Sequence, residues 1–462
     1  MNDSQPCCSR RQMLKNSAVG FGAIALADIL QRSVTADAPT SGLHFPARAK
    51  RVIFLFMHGG PSAIDTFDYK PLLRRDHGKP LPFDKPRVQF AQTGNLLQSP
   101  FPFRQYGESG KWVSDLFPEV GKCADDLTFI HSMHGSNEAH GGALLKIHTG
   151  SDTFVRPSMG AWVSYGLGTE NQNLPSFVTI NPTLGHGGVQ NFGSAFLPAE
   201  HQATRIGKSG AKMAASMIEN LSNSQATNSQ LRDQLDYVQR LNALQLEQAG
   251  KDAALEARIE SLELAFRMQS EAPGVLDING ETEATKRLYG IDEKPTDNFG
   301  RQCLLARRLS AAGVRFVQVS HSYWDQHSEL KEKHSELAAE VDKPIAGLLR
   351  DLKARGILDD TLVIWGAEFG RTPTAQGDNG RDHNPHAFTY WMAGGGVKRG
   401  FTYGASDDYG FYAQSDRMHV HDFHATLLHL LGIDHERLTF RYGGRDFRLT
   451  DVHGRVIKDI FA

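Results

Sequence analysis

Cysteine is scarce in this chain of 462 residues. Four are present; Cys7 and Cys8 are adjacent near the amino end, and Cys123 and Cys303 are far apart in the remainder. No Cys-x-x-Cys pair occurs, so a dithiol redox pair or a cysteine metal knuckle is excluded, and at most one disulfide can form beyond the first segment. Net charge is small as well, at −2. That argues against a polyanion binder, and nucleic acid is not an expected partner. Long apolar runs are also missing. The best candidate, residues 18–30, is too short and too interrupted to span a bilayer.

That segment follows Ser9-Arg10-Arg11-Gln12-Met13-Leu14-Lys15 and precedes Ala36-Asp37-Ala38. A basic start, a moderate apolar stretch and an A-x-A site make a twin-arginine export signal the expectation for residues 1–38. The export machinery is then a partner, and the periplasm or cell envelope the destination. The leader carries four basic and three acidic residues, so the remainder stands near −3. All 20 histidines lie beyond it. Residues 39–462 read as one α/β domain without a membrane span.

Several apolar runs end in polar, chemically capable residues. Residues 51–57 (RVIFLFM) read as a buried central strand, ending at His58-Gly59-Gly60-Pro61-Ser62, with Asp65 and Thr66 close behind. Residues 127–130 read as a second strand, delivering His131, His134 and His140 to a loop, and 141–148 as a helix. Residues 314–319 form another expected strand, whose end carries Asp325 and His327. Two apart in an extended segment, those side chains share a face. Residues 361–365 read as a strand followed by Glu368 and Arg371, then by a Gly/Asp/Asn loop holding Asp382, His383 and His386. Open α/β sheets bind ligands beyond the carboxyl ends of their strands. Oxygen and nitrogen donors gathered there suit a divalent ion such as zinc or manganese.

Between these strands, periodicity predicts helices over 113–124, 298–312, 329–355 and 419–431, a strand at 177–180 and another at 388–392. Residues of about 211–268 are rich in Ala, Leu, Gln, Glu and Arg and read as an inserted helical section without chemistry. His424 and His429 are expected to be packed structural histidines. Strands alternating with helices predict a mostly parallel central sheet with helices on both faces.

The pieces MHGGPSAIDTFDYKP, LLARRLSAAGVRFVQV, WDQH, EFGRTP, GRDHNPH and HDFHATLLHLLGIDHERLTFRYGGRDFRLTD resemble the twin-arginine-exported domain of unknown function 1501 family. That family is similar to the alkaline phosphatase and sulfatase superfamily, and the resemblance implies its fold and a metal-dependent ester hydrolase. Where the superfamily has an aspartate ligand after the first strand, this chain has His58. Counting back from Thr149-Gly150 to the nucleophile's place gives His140, not Ser, Thr or Cys. The sulfatase Cys-x-Pro-Ser-Arg signature is absent, so no formylglycine is expected. Asp325 and His327 resemble the next ligands, Glu368 falls where an Asp-His pair begins, and His383 or His386 resembles the last histidine ligand.

The resulting expectation is a hydrolase of phosphate or sulfate esters, acting on a small-molecule or glycan ester. His58, Asp325, His327, Glu368, Asp382, His383 and His386 are its candidate ligands for zinc, manganese or calcium. Arg371 would clamp an anionic oxygen, and Thr66 or His140 would offer a covalent route as an alternative to direct attack by water. The rival expectation is a non-catalytic envelope protein that binds carbohydrate or a partner with the same fold.

Overall fold

The computed structural model describes residues 43–84, 94–213, 227–249 and 253–462. The leader, and the part of the expected insertion at 214–226, lie outside these residues.

The central sheet is built from β1 (Arg51–Met57), β2 (Leu127–His134), β3 (Phe177–Ile180), β4 (Thr204–Ile206), β5 (Phe316–His321) and β6 (Thr361–Gly366). A hairpin, β7 (Gly370–Gln376) and β8 (Gly380–Asn384), follows outside it. The sheet is completed by β9 (Phe388–Ala393), β10 (Phe401–Tyr403) and β11 (Met418–His419). Its order is β10-β2-β9-β6-β1-β5-β3-β4, with β11 beside β2. Only β9 runs against the rest, being antiparallel to both β6 and β2. The mostly parallel sheet is therefore as expected.

β1 sits between β5 and β6, in register Val52↔Phe316 and Val52↔Leu362. Its alternate residues enter opposite cores, as the strand period of two requires. Ile53, Leu55 and Met57 join one core with helices α6 (Asp297–Ala311) and α7 (Leu330–Ala354). Val52, Phe54 and Phe56 join the other, with α2 (His140–Thr149), α3 (Met159–Leu167) and α8 (Val420–Leu430). A strand covered on both faces has no polar side to show, which explains the unbroken apolar run.

The insertion contributes α4 (Asn228–Ala249) and α5 (Ala253–Leu276), tied by an Arg232–Glu263 ion pair at 2.9 Å. Among the described residues no helix is long and apolar enough to cross a membrane. Cys123 and Cys303 are both buried and free.

Three local expectations need correction. Residues 113–124 are not one helix: Lys111–Ser114 pairs with Phe103–Tyr106 as a hairpin, and Pro118 starts only the short turn Pro118–Gly121. β2 runs on to His134, so His131 and His134 lie in the sheet rather than in a loop. The stretch holding Asp382 and His383 is not a loop either. It is the return strand of a hairpin whose turn is the Gly/Asp/Asn segment, with His383 opposite Arg371.

Candidate functional site

Tight backbone turns bring the strand ends together. His58 donates its backbone N–H to the His321 carbonyl, and Trp324 donates its own to the His58 carbonyl, so the exits of β1 and β5 are laced. Gly59 follows with φ 114°, and a Cβ there would lie 2.7 Å from the Trp324 nitrogen. That crowding requires glycine. Its N–H donates to Glu368 Oε1 at 2.9 Å, joining the β6 exit to the same turn. The buried His334 of α7 braces the turn by accepting the Ser62 N–H at 3.1 Å.

His140, the first residue of α2, bridges the two acids. Its Nδ1 lies 2.8 Å from Glu368 Oε1, and its Nε2 lies 3.2 Å from Asp325 Oδ2. The second contact has ion-pair distance without hydrogen-bond alignment, which leaves that nitrogen buried and unmatched. Asp325 also meets His327 Nε2 at 2.9 Å, His383 Nε2 at 3.1 Å and Arg371 Nη2 at 2.6 Å. His383 is oriented from its other nitrogen by the Glu138 carbonyl at 2.6 Å.

The electrostatics follow from these contacts. Burial alone would raise Asp325, but the close contacts of three imidazoles and the Arg371 charge hold it far below the usual carboxylate range. Burial alone would lower His140, but Asp325 and Glu368 outweigh it and raise the imidazolium to about 9. His58 moves the other way, lowered by burial despite Glu368, with His140 and His186 adding repulsion.

Among the described residues, two sets of donor atoms are close enough to share an ion: His140, Asp325 and His383, and His58, His140 and His186, each set lying within 4.8 Å. His58 Nε2, His140 Nε2 and Glu368 Oε2 are buried polar atoms without hydrogen-bond partners. Buried polar atoms are normally paired. Imidazole and carboxylate are donors that zinc and manganese accept. The residues therefore fit a divalent ion.

The expected site residues divide. Asp325, Glu368, His140, His58, His327 and His383 come together. Asp382 is buried at the margin; it accepts the His383 N–H at 2.8 Å and lies 4.0 Å from His327 Nδ1. His386 is not brought in: its ring packs on Phe411 and Tyr412, and its backbone N–H bonds Asn384. Thr66 is fully buried, its hydroxyl tied to the carbonyls of Ser62 and Ala63, so it presents no nucleophile. Arg371 does not clamp a substrate. Its side chain is fully buried and donates to the carbonyls of Gly59, Gly60, Trp324 and Arg381 besides Asp325, which makes it a brace for the turn.

His186 was missed. It is exposed, at φ 45°, in the loop beyond β3, and its ring stacks on His140 at 5.0 Å. The available signal was a Gly-His-Gly-Gly run just past a strand end. The Asp65–Arg381 pair was missed too; both side chains are fully buried, at 2.6 Å, and it anchors the hairpin to α1 (Ala63–Thr66).

The family described as "Protein of unknown function (DUF1501)" matches residues 49–461. Among curated proteins no relative matches. Similar solved structures include Ps i-CgsB in complex with k-i-k-neocarrahexaose, at 10% identity over 84% of this chain and 74% of that chain, with a TM-score of 0.40. The lipoteichoic acid synthase LtaP from Listeria monocytogenes is 9% identical over 89% of this chain and 79% of that chain, with a TM-score of 0.39. A protein in the alkaline phosphatase superfamily from Vibrio parahaemolyticus is 10% identical over 88% and 77%, with a TM-score of 0.34. Scores this low leave the chemistry to be read from this chain's own side chains.

Proposed function

This chain belongs to the DUF1501 family, and from that premise and the cluster around Asp325 we propose a metal-dependent hydrolase of phosphate or sulfate esters in the cell envelope. The observation that carries the reading is the trio of buried, unmatched atoms on His58, His140 and Glu368, set beside two donor groups that share His140. His140, Asp325 and His383 would hold zinc or manganese, with His58, Glu368 and His186 adjoining. A divalent ion bound there supplies Lewis-acid polarisation of an ester oxygen.

The chain's own residues do the positioning. Asp325 orients three imidazoles at once. Glu368 fixes the far nitrogen of His140 and the Gly59 N–H. Arg371 holds the His58-Gly59-Gly60 turn against Asp325, so the donors are set before any ligand arrives. The half-buried His327 and the exposed His186 flank the cluster. Among the described residues, no serine, threonine or cysteine side chain hydrogen-bonds to Asp325, His140 or Glu368. That leaves His140 as the one covalent candidate among the described residues, beside direct attack by water.

The same observation supports a second reading, a non-catalytic protein that binds a glycan or a partner through this edge. Elemental analysis and turnover of aryl phosphate and aryl sulfate esters separate the two. The hydrolase reading expects bound metal and a turnover that Glu368→Ala abolishes. Less than about one tenth of a metal per chain, with no activity restored by added zinc, manganese or calcium, overturns it. Export is a matching proposal from the amino-terminal residues: Arg10→Lys with Arg11→Lys should leave precursor in the cytoplasm, and normal export of that variant refutes it.

A further inference from the structure

A second group of imidazoles lies where β2 and β11 end and α8 begins. Ring centroids of His134 and His419 are 5.1 Å apart, those of His419 and His421 5.1 Å, and those of His421 and His453 5.0 Å. His419, His421 and His453 line a pocket of about 560 Å³ together with Lys146 and Arg455. None of these residues belongs to the Asp325 cluster.

The polar groups of this pocket are unevenly matched. Its two acids are engaged. Asp422 accepts the N–H groups of His419 at 3.1 Å and Arg455 at 2.7 Å, and Glu436 lies 3.3 Å from Arg448 Nη1. Of its two cations, Arg455 donates Nη2 to the Arg417 carbonyl at 3.1 Å, whereas the half-buried Lys146 ammonium has no hydrogen bond and no ion pair among the described residues. His421 is 2% exposed, and its Nδ1 is buried without a partner. After burial itself, the largest influences on His421 are the nearby His424, Lys146, His419 and His453. The first turn of α8 opens at the same place, with its positive dipole end.

A metal fits this pocket poorly. His419 Nδ1 already accepts the His421 N–H at 3.2 Å, and no carboxylate bridges these imidazoles. An unpaired ammonium, a guanidinium, imidazole N–H donors and a helix start suit a negatively charged oxygen group instead. We propose that the pocket between Lys146, His421 and Arg455 is a second binding site, taking an oxyanion group such as phosphate, sulfate or carboxylate. The ion itself or a charged substituent on a larger ligand supplies the same chemistry. The site is separate from the Asp325 cluster and stands whether or not that cluster is catalytic.

Titration calorimetry on the full chain tests it, with inorganic phosphate, inorganic sulfate and a sulfated tetrasaccharide as probes. Binding is expected to persist in Asp325→Ala and to weaken by about tenfold or more in Lys146→Gln and in His421→Gln, with Lys146→Arg restoring it. Thermal unfolding of each variant confirms that it is folded. Binding of the inorganic ions identifies a free-ion site, and binding of the tetrasaccharide alone identifies a site for a charged substituent. No binding of any probe overturns the proposal, as does binding that Asp325→Ala removes or that folded Lys146→Gln retains in full.

Discussion

His140, His327 and His383 each lie within 3.2 Å of an Asp325 oxygen, whereas His421 has no carboxylate partner and faces Lys146 and three other imidazoles. Both groups sit at the carboxyl edge of one sheet. Burial pushes His140 and His383 in the first group, and His419, His421 and His424 in the second, toward neutrality. In the first group carboxylates reverse that push at His140, raised to about 9, while in the second nothing does, and His421 falls to about 2. The residue type is the same; the neighbouring charge decides whether a buried imidazole becomes a cation or a neutral donor. A site intended for a cation needs the first arrangement, and a site for an anion tolerates the second.

Removing a carboxylate breaks the contrast most. Glu368→Ala deletes the partner of His140 Nδ1 and of the Gly59 N–H. Metal content measured after dialysis should fall, with affinity down by about 100-fold. Unchanged metal content would mean that Glu368 only braces the turn.

Arg371→Met should come next. It strips Asp325 of a buried guanidinium and leaves the carbonyls of Gly59, Gly60 and Trp324 without a donor. Losing one partner of a buried pair costs roughly 3–5 kcal/mol, and the partial exposure of Asp325 puts this case near the lower end. Chemical denaturation would read it; a loss under about 1 kcal/mol would show that the turn holds without its brace.

The second group predicts how stability responds to acid. His424 of α8 is fully buried, bonded to the Ile147 carbonyl at 2.7 Å, and its imidazole is pulled down to about 3, chiefly by burial. A histidine of ordinary affinity in the unfolded chain binds its proton near pH 6.5, so between about 6.5 and 3 the unfolded state holds more protons than the folded one. Stability is therefore whole above about pH 6.5 and declines as pH falls, by about 1.4 kcal/mol per pH unit for each such group. His421 and His148, lowered to about 2 and about 4, act with the same sign. Denaturant titrations from pH 7 to 5 should show that slope, and His424→Gln should reduce it. An identical slope in the variant would remove His424 from the account.

How much of this was legible follows from what each contact depends on. β1, β5 and β6 were readable because strands covered on both faces carry unbroken apolar runs, and Asp325, Glu368 and His383 because polar residues just past such runs stand out. The brace role of Arg371 was not readable, since it depends on backbone carbonyls contributed by three separate segments. His386 looked equivalent to His383 in sequence. A strand end divides them: His383 sits inside β8, opposite Arg371, while His386 lies past it, against Phe411 and Tyr412. Residues 113–124 misled because helical spacing of Leu116, Val120 and Cys123 survived a proline that limits the helix to one turn.

The smallest expected effect sharpens the comparison inside the first group. His140 belongs to both sets of donor atoms, so the sets compete for it. In one set Asp325 offers a carboxylate; in the other His58 and His186 offer imidazole nitrogens alone, and among the described residues no hydrogen bond reaches the His186 ring, which is exposed on a loop. A divalent ion gains most from the set holding a carboxylate, because opposite charge at contact outweighs a further neutral donor in a partly dry site. His186→Ala should then change metal affinity by less than about threefold, within the range of a peripheral contact, whereas His383→Ala should weaken it by about 10- to 100-fold. Competition against a chromophoric chelator measures both. If His186→Ala has the larger effect, the ion is held by His58, His140 and His186, and Asp325 serves only to orient the imidazoles around it.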